Sequence, residues 1–117
     1  MKQSILYFAL FLMSMLYLSN THAASFSCQA AKLKIEQRIC NERRLNDADV
    51  KLATTYQIIL HALPMGGRDA EKAKQSRWLK QRNACGANTS CIEDAYLRRQ
   101  QQLDQLLQVR VLSQGPF

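Results

Sequence analysis

Four cysteines, Cys28, Cys40, Cys85 and Cys91, constrain this chain more than any other feature. All four follow an apolar leader, and an even cysteine count in a short exported chain reads as a disulfide framework. A domain this small buries only a modest core, so covalent staples supplement packing. Clustered thiols also serve metals, but there is no Cys-x-x-Cys pair, and His61 is the one histidine beyond the leader. The cysteines therefore read as structural, with no metal and no other cofactor expected.

The leader has the three parts of a secretory signal. Lys2 gives the positive start, Ile5 to Leu18 is an apolar run broken only by Ser14, and a polar stretch leads to Ala23-Ala24. Thr21 and Ala23 are the small residues a narrow signal-peptidase pocket accepts, so cleavage is expected after Ala23. Residues 1–23 are then a signal peptide and 24–117 a single domain. The run of about 14 residues falls short of the roughly 20 that cross a bilayer as a helix, so no transmembrane segment is expected in the mature chain. Cys28 follows Ser25-Phe26-Ser27, which is not the small-residue box of a lipid-attached cysteine. The expected location is periplasmic or secreted.

Within residues 24–117 the apolar residues follow helical spacing, with no strand-like alternation and no repeat. Leu45, Leu52, Tyr56, Ile59 and Leu63 mark one face of a helix expected over 41–63, with Asn41 as its N-cap and Pro64 as its stop. A helix from about Arg68 to Ala84 is expected to bury Trp78 and Leu79, with Cys85 at its end. Ser90 and Glu93 have the spacing of a capping box and open a last helix whose stripe is Ile92, Ala95, Tyr96, Leu103, Leu106 and Leu107. The segment from Cys28 to Cys40 reads as a loop followed by a short helix, and the tail from about 109 as loosely ordered. The fold class is all-α: a small disulfide-stapled helical bundle of three main helices plus a short N-terminal one. Tyr56, Trp78 and Tyr96 are assigned to its core.

Geometry selects among the three pairings that four cysteines allow. Cys85 closes one helix and Cys91 opens the next, so a short loop brings them within the about 6 Å a disulfide needs. Cys28 is then left for Cys40. A continuous helix over those twelve steps would hold them about 18 Å apart, so the residues near Cys28 must leave the helix and fold back.

Several charges fall on apolar faces. Asp49 lies between Leu45 and Leu52, Arg99 between Tyr96 and Leu103, Arg82 follows Trp78, and Glu36 sits beside Ile35 and Ile39. A lone buried charge is costly, so these four are expected to form internal ion pairs, Glu36 and Asp49 with Arg82 and Arg99, in an arrangement the sequence leaves open. No nucleophile has a base beside it, and no cleft is built around the two carboxylates, so no catalytic residue is assigned and the chain is not expected to be an enzyme.

Sixteen Lys and Arg oppose nine Asp and Glu; losing Lys2 with the leader leaves about +6. Export and the lack of an aromatic ladder among the basic residues argue against nucleic acid. Basic clusters at Lys72, Lys74, Arg77 and Lys80 and at Arg43-Arg44 suit an anionic envelope lipid, polymer or protein.

The ordered set Cys28, Glu36, Ile39-Cys40, Leu45, Asp49, Tyr56, Gln75, Trp78-Leu79, Arg82, Cys85, Cys91, Tyr96, Arg99 and Leu103 resembles the LprI-type lysozyme inhibitor N-terminal domain, a family of small exported helical proteins. The resemblance runs from Cys28 to about Leu107. It implies a non-enzymatic binding protein whose partner is lysozyme or another envelope protein. Lysozymes cleave with two carboxylates in a groove. The segment Gly66, Gly67 and Arg68 is the candidate binding loop, because glycines permit close approach and an arginine can face a carboxylate. The alternative is an envelope accessory module holding an anionic ligand. Common animal lysozymes are themselves basic, so attraction at long range would be absent and binding would rest on close fit.

Overall fold

The computed structural model describes residues 24–114, and the leader lies outside them. Those residues form four α-helices and two short 3-10 turns, with no strand among them. The helices are α1 (Lys34–Asn41), α2 (Arg43–Ala62), α3 (Met65–Asn83) and α4 (Thr89–Arg110). None is long and apolar enough to cross a membrane.

A single 3-10 turn, Cys28–Ala30, opens the domain, and Ala31 and Leu33 continue it in extended conformation. This detour brings the Cα atoms of Cys28 and Cys40 to 5.8 Å, and the two are disulfide-bonded. α1 turns Ile35 and Ile39 inward, one helical turn apart. Glu36, expected inside, instead reaches back over the first turn, where its Oε2 accepts from the Leu33 N–H at 3.3 Å. That contact satisfies one of the amide donors a helix start leaves open.

Helices α1 and α2 meet at one extended residue, Glu42, with φ −110° and ψ 109°. Asn41 therefore ends α1 instead of capping α2. On α2 the residues Leu45, Asp49, Leu52 and Ile59 face inward at steps of four, three and seven. The helix stops where Pro64 disfavours helical geometry for Leu63, whose ψ is 143°.

α3 starts three residues earlier than the expected Arg68, directly after Pro64, so Gly66 and Gly67 lie in its first turn. Its inner face is Glu71, Trp78 and Arg82, while Leu79 is rotated away and 36% exposed. Adjacent helical residues point about 100° apart, and with Trp78 turned to the core Leu79 falls at the edge of the buried face. Gly86, with φ +58°, takes the left-handed conformation that terminates α3. Cys85 and Cys91 bridge this turn with Cα atoms 5.6 Å apart.

The cap of α4 is Asn88, not Ser90. The Asn88 Oδ1 accepts from the Cys91 N–H at 3.1 Å, and the Ser90 hydroxyl donates to the same oxygen. Glu93, freed from capping, pairs with Arg44 at 3.0 Å. α4 runs on to Arg110, and Val111 beyond it is buried.

Helices α2 and α4 form the principal interface, with α1 laid on α2 and α3 on α4. Ile39, Leu45, Ile59, Ile92 and Leu103 are completely buried between them. Trp78 and Tyr96 are core residues too, while Tyr56 is half-buried at its margin.

Candidate functional site

Two polar clusters lie inside the bundle, and they account for most of the charge that the apolar stripes carry. In the first, the Tyr96 hydroxyl donates to Asp49 Oδ1 at 2.7 Å and accepts from Arg82 Nη1 at 2.9 Å. Asp49 and Arg82 themselves are 3.8 Å apart, so the phenol bridges the pair. The second carboxylate oxygen of Asp49 accepts from the Ser25 N–H at 2.6 Å, tying the start of the domain to α2. Trp78 meets Tyr96 edge-on, with centroids 5.2 Å apart, and donates its indole N–H to the Ala95 carbonyl at 3.0 Å. The Arg82 guanidinium lies 5.5 Å from the Trp78 ring centroid, within cation–π range.

Burial, reinforced by the Asp49 charge and opposed by Arg82, holds the Tyr96 phenol protonated well above the ordinary tyrosine range. Tyr56 is raised as well, through burial and the Glu71 charge. An unfolded tyrosine titrates near pH 10 (about that value in model peptides). Above that pH the folded state therefore holds more protons than the unfolded state, and stability falls as pH rises. Replacing Tyr96 by phenylalanine is expected to cost about 1–3 kcal/mol at neutral pH, because Asp49 and Arg82 lose their shared partner. Urea titrations at pH 7 and above pH 10 check both points: the alkaline loss should be smaller in the variant than in the native chain.

The second cluster joins Glu71 of α3 to Arg99 of α4. Arg99 Nη2 lies 2.6 Å from Glu71 Oε1, and both side chains are 3% exposed. Arg99 also donates to Gln75 Oε1 at 2.9 Å and to Gln102 Oε1 at 3.4 Å, and Lys74 approaches the outer oxygen of Glu71 at 3.5 Å. The four residues expected to pair thus divide differently. Asp49 meets Arg82, Arg99 meets Glu71, and Glu36 stays at the start of α1. Glu71 is the buried ion-pair partner that the sequence pattern did not single out.

The structure also removes Arg68 from an exposed loop. Its guanidinium bends back to the end of α2, donating to the carbonyls of Leu60 at 2.8 Å and Leu63 at 3.2 Å. It satisfies carbonyls that a helix end leaves open, so Gly66, Gly67 and Arg68 do not form a protruding loop. The Gln57 carbonyl accepts from His61 Nδ1 at 2.7 Å on the exposed side of α2. No group of His, Cys, Asp and Glu among the described residues is placed to hold a metal.

A groove of about 710 Å³ runs along α3 and α4, with the Cys85–Cys91 bridge at one end. Lys74 and Arg77 stand on one wall and Arg98 and Arg110 on the other, with Gln81, Gln102 and Gln105 between them. Trp78 and Ala95 form part of its floor, beside the Glu71–Arg99 pair. Lys72 and Lys80, of the same basic cluster in sequence, are exposed on α3 outside the groove. Arg43 and Arg44 are engaged with Asp47 and Glu93.

Comparison with characterised proteins identifies relatives. The chain is 34% identical over 88 residues, 73% of its length, to lipoprotein LprI of Mycobacterium tuberculosis, and to the same extent to lipoprotein LprI of Mycobacterium bovis. The match covers 43% of each of those proteins, so the chain spans less than half the length of the relatives it matches. No family model and no solved structure matches it.

Proposed function

We propose that this chain is an exported binding protein of the bacterial cell envelope that restrains lysozyme. The observation that carries the reading is the similarity to lipoprotein LprI over 88 residues, which agrees with the LprI-type inhibitor pattern of cysteines, aromatics and charges. The two disulfides fit an oxidising compartment outside the cytoplasm. Asp49 and Glu71, the buried carboxylates, are held by arginines and serve the fold. Arg77, Arg98 and Arg110 form no ion pair among the described residues, and such surface cations suit recognition of acidic partners.

An inhibitor of this kind acts by filling the lysozyme cleft and approaching its carboxylates with a cation. With Arg68 turned inward onto α2, that cation comes from elsewhere on the surface. The test is a peptidoglycan-clearing assay in which the oxidised protein is titrated into lysozymes of different types. Clearing is expected to fall with dose and to saturate near one inhibitor per enzyme. Unchanged clearing of every lysozyme at micromolar excess overturns the reading.

A further inference from the structure

We propose that the groove between α3 and α4 is a binding site for a carboxylate-bearing glycan strand of the cell wall. The inference goes beyond lysozyme restraint and does not depend on it. Three features of the groove select this ligand. The first is charge: Arg77, Arg98 and Arg110 line it and form no ion pair among the described residues. The one carboxylate in its lining, Glu71, is already neutralised by Arg99 and Lys74. The groove therefore presents unopposed cations from both walls, and an anion entering it meets arginines that offer forked N–H donors.

The second feature is the run of amides. Gln81, Gln102 and Gln105 are interleaved with the arginines, and each side chain supplies both donors and acceptors. That combination matches a ligand carrying hydroxyl and amide groups between its charges, as an amino-sugar polymer does. An acyl chain would need a deep enclosed slot, and here the buried apolar lining, Trp78 and Ala95, is only 8% and 7% exposed, while Leu106 and Val109 lie toward the end of α4 in an open part of the groove. The third feature is shape. The lining runs from Glu71 on α3 to Cys85 just past its end and from Cys91 to Arg110 on α4, about 20–28 Å at 1.5 Å per residue. The groove is an open track along two helices, which suits a chain polymer better than a compact small molecule.

Co-sedimentation of the oxidised full chain with insoluble cell-wall sacculi, with no lysozyme present, tests the site. Chitin supplies a neutral amino-sugar control, and vesicles of anionic phospholipid supply a lipid control. The expected result is retention on sacculi that weakens as salt rises, with at least tenfold weaker retention on chitin and on vesicles. The double variant R77Q/R98Q is expected to bind sacculi about tenfold more weakly, from two lost charge contacts. The variant K32Q/R38Q loses the same charge at Lys32, just before α1, and at Arg38 within it, away from the groove, and should bind as the native chain does. Circular dichroism checks that both variants are folded, as expected for changes at exposed positions. Equal retention on chitin, stronger retention on vesicles, or equal weakening by the two variants would each overturn the assignment. A chain that restrains lysozyme yet ignores sacculi would lose this site and keep its proposed function.

Discussion

Replacing Glu71 by alanine is expected to destabilise the fold by about 3–5 kcal/mol, the cost of stranding one partner of a buried ion pair. Arg99 is only 3% exposed. Without Glu71 it keeps only the neutral oxygens of Gln75 and Gln102. The reverse change, Arg99→Ala, strands Glu71 less completely, because Lys74 lies 3.5 Å from its second oxygen. The double replacement by leucine and methionine removes both charges together and should recover much of the loss. Equilibrium urea unfolding of the native, single and double variants measures all three. A loss below about 1 kcal/mol for Glu71→Ala would mean that water reaches the pair and that α3 and α4 are not closed over it.

Reduction of both disulfides is expected to produce the second large effect. The bridges close loops with sequence separations of 12 and 6, and loops of that size contribute about 2–3 kcal/mol each by restricting the unfolded chain. Their sum, about 5 kcal/mol, equals the entire stability of many small domains. The reduced chain should therefore be largely unfolded at physiological temperature, as followed by far-ultraviolet circular dichroism with and without dithiothreitol. Replacing Cys85 and Cys91 alone should cost less than replacing Cys28 and Cys40, because the shorter loop gives up less entropy. A reduced chain that still melts cooperatively near the oxidised temperature would place the stability in packing instead.

Much of this architecture is legible in the sequence, because helices of this length signal themselves through period and punctuation. The face of α2 and the stop at Pro64 follow directly from where apolar residues and proline fall. The junctions are harder. Glu42 turns the chain between two helices in one residue, and nothing in its side chain marks a break. At the start of α4, Ser90 and Asn88 are both competent caps, and the choice falls to Asn88 because the Gly86 turn releases the chain two residues earlier. Pairing of charges is harder still. Glu36 is the more visible carboxylate in the sequence, next to Ile35 and three residues before Ile39. Glu71 belongs to a helix with few apolar residues, where polar groups make up much of the inner face. The signal was nevertheless present: Glu71, Gln75, Trp78 and Arg82 recur at steps of four, three and four, which is one face of a helix. The groove has no counterpart in a linear pattern, because its basic walls come from two helices that only the fold places side by side.

The position of Trp78 gives the protein an optical property of its own. It is the only tryptophan in the chain, so the indole emission comes from a single place. That place is a floor position of the groove, edge-on to Tyr96 and beside the Arg82 guanidinium. When the helices separate, the ring passes from a dry cation-flanked niche into water, and its emission moves to longer wavelength. When an anion settles above it while the helices stay packed, the intensity changes without that shift. One unlabelled chromophore thus separates melting from occupancy in a single spectrum.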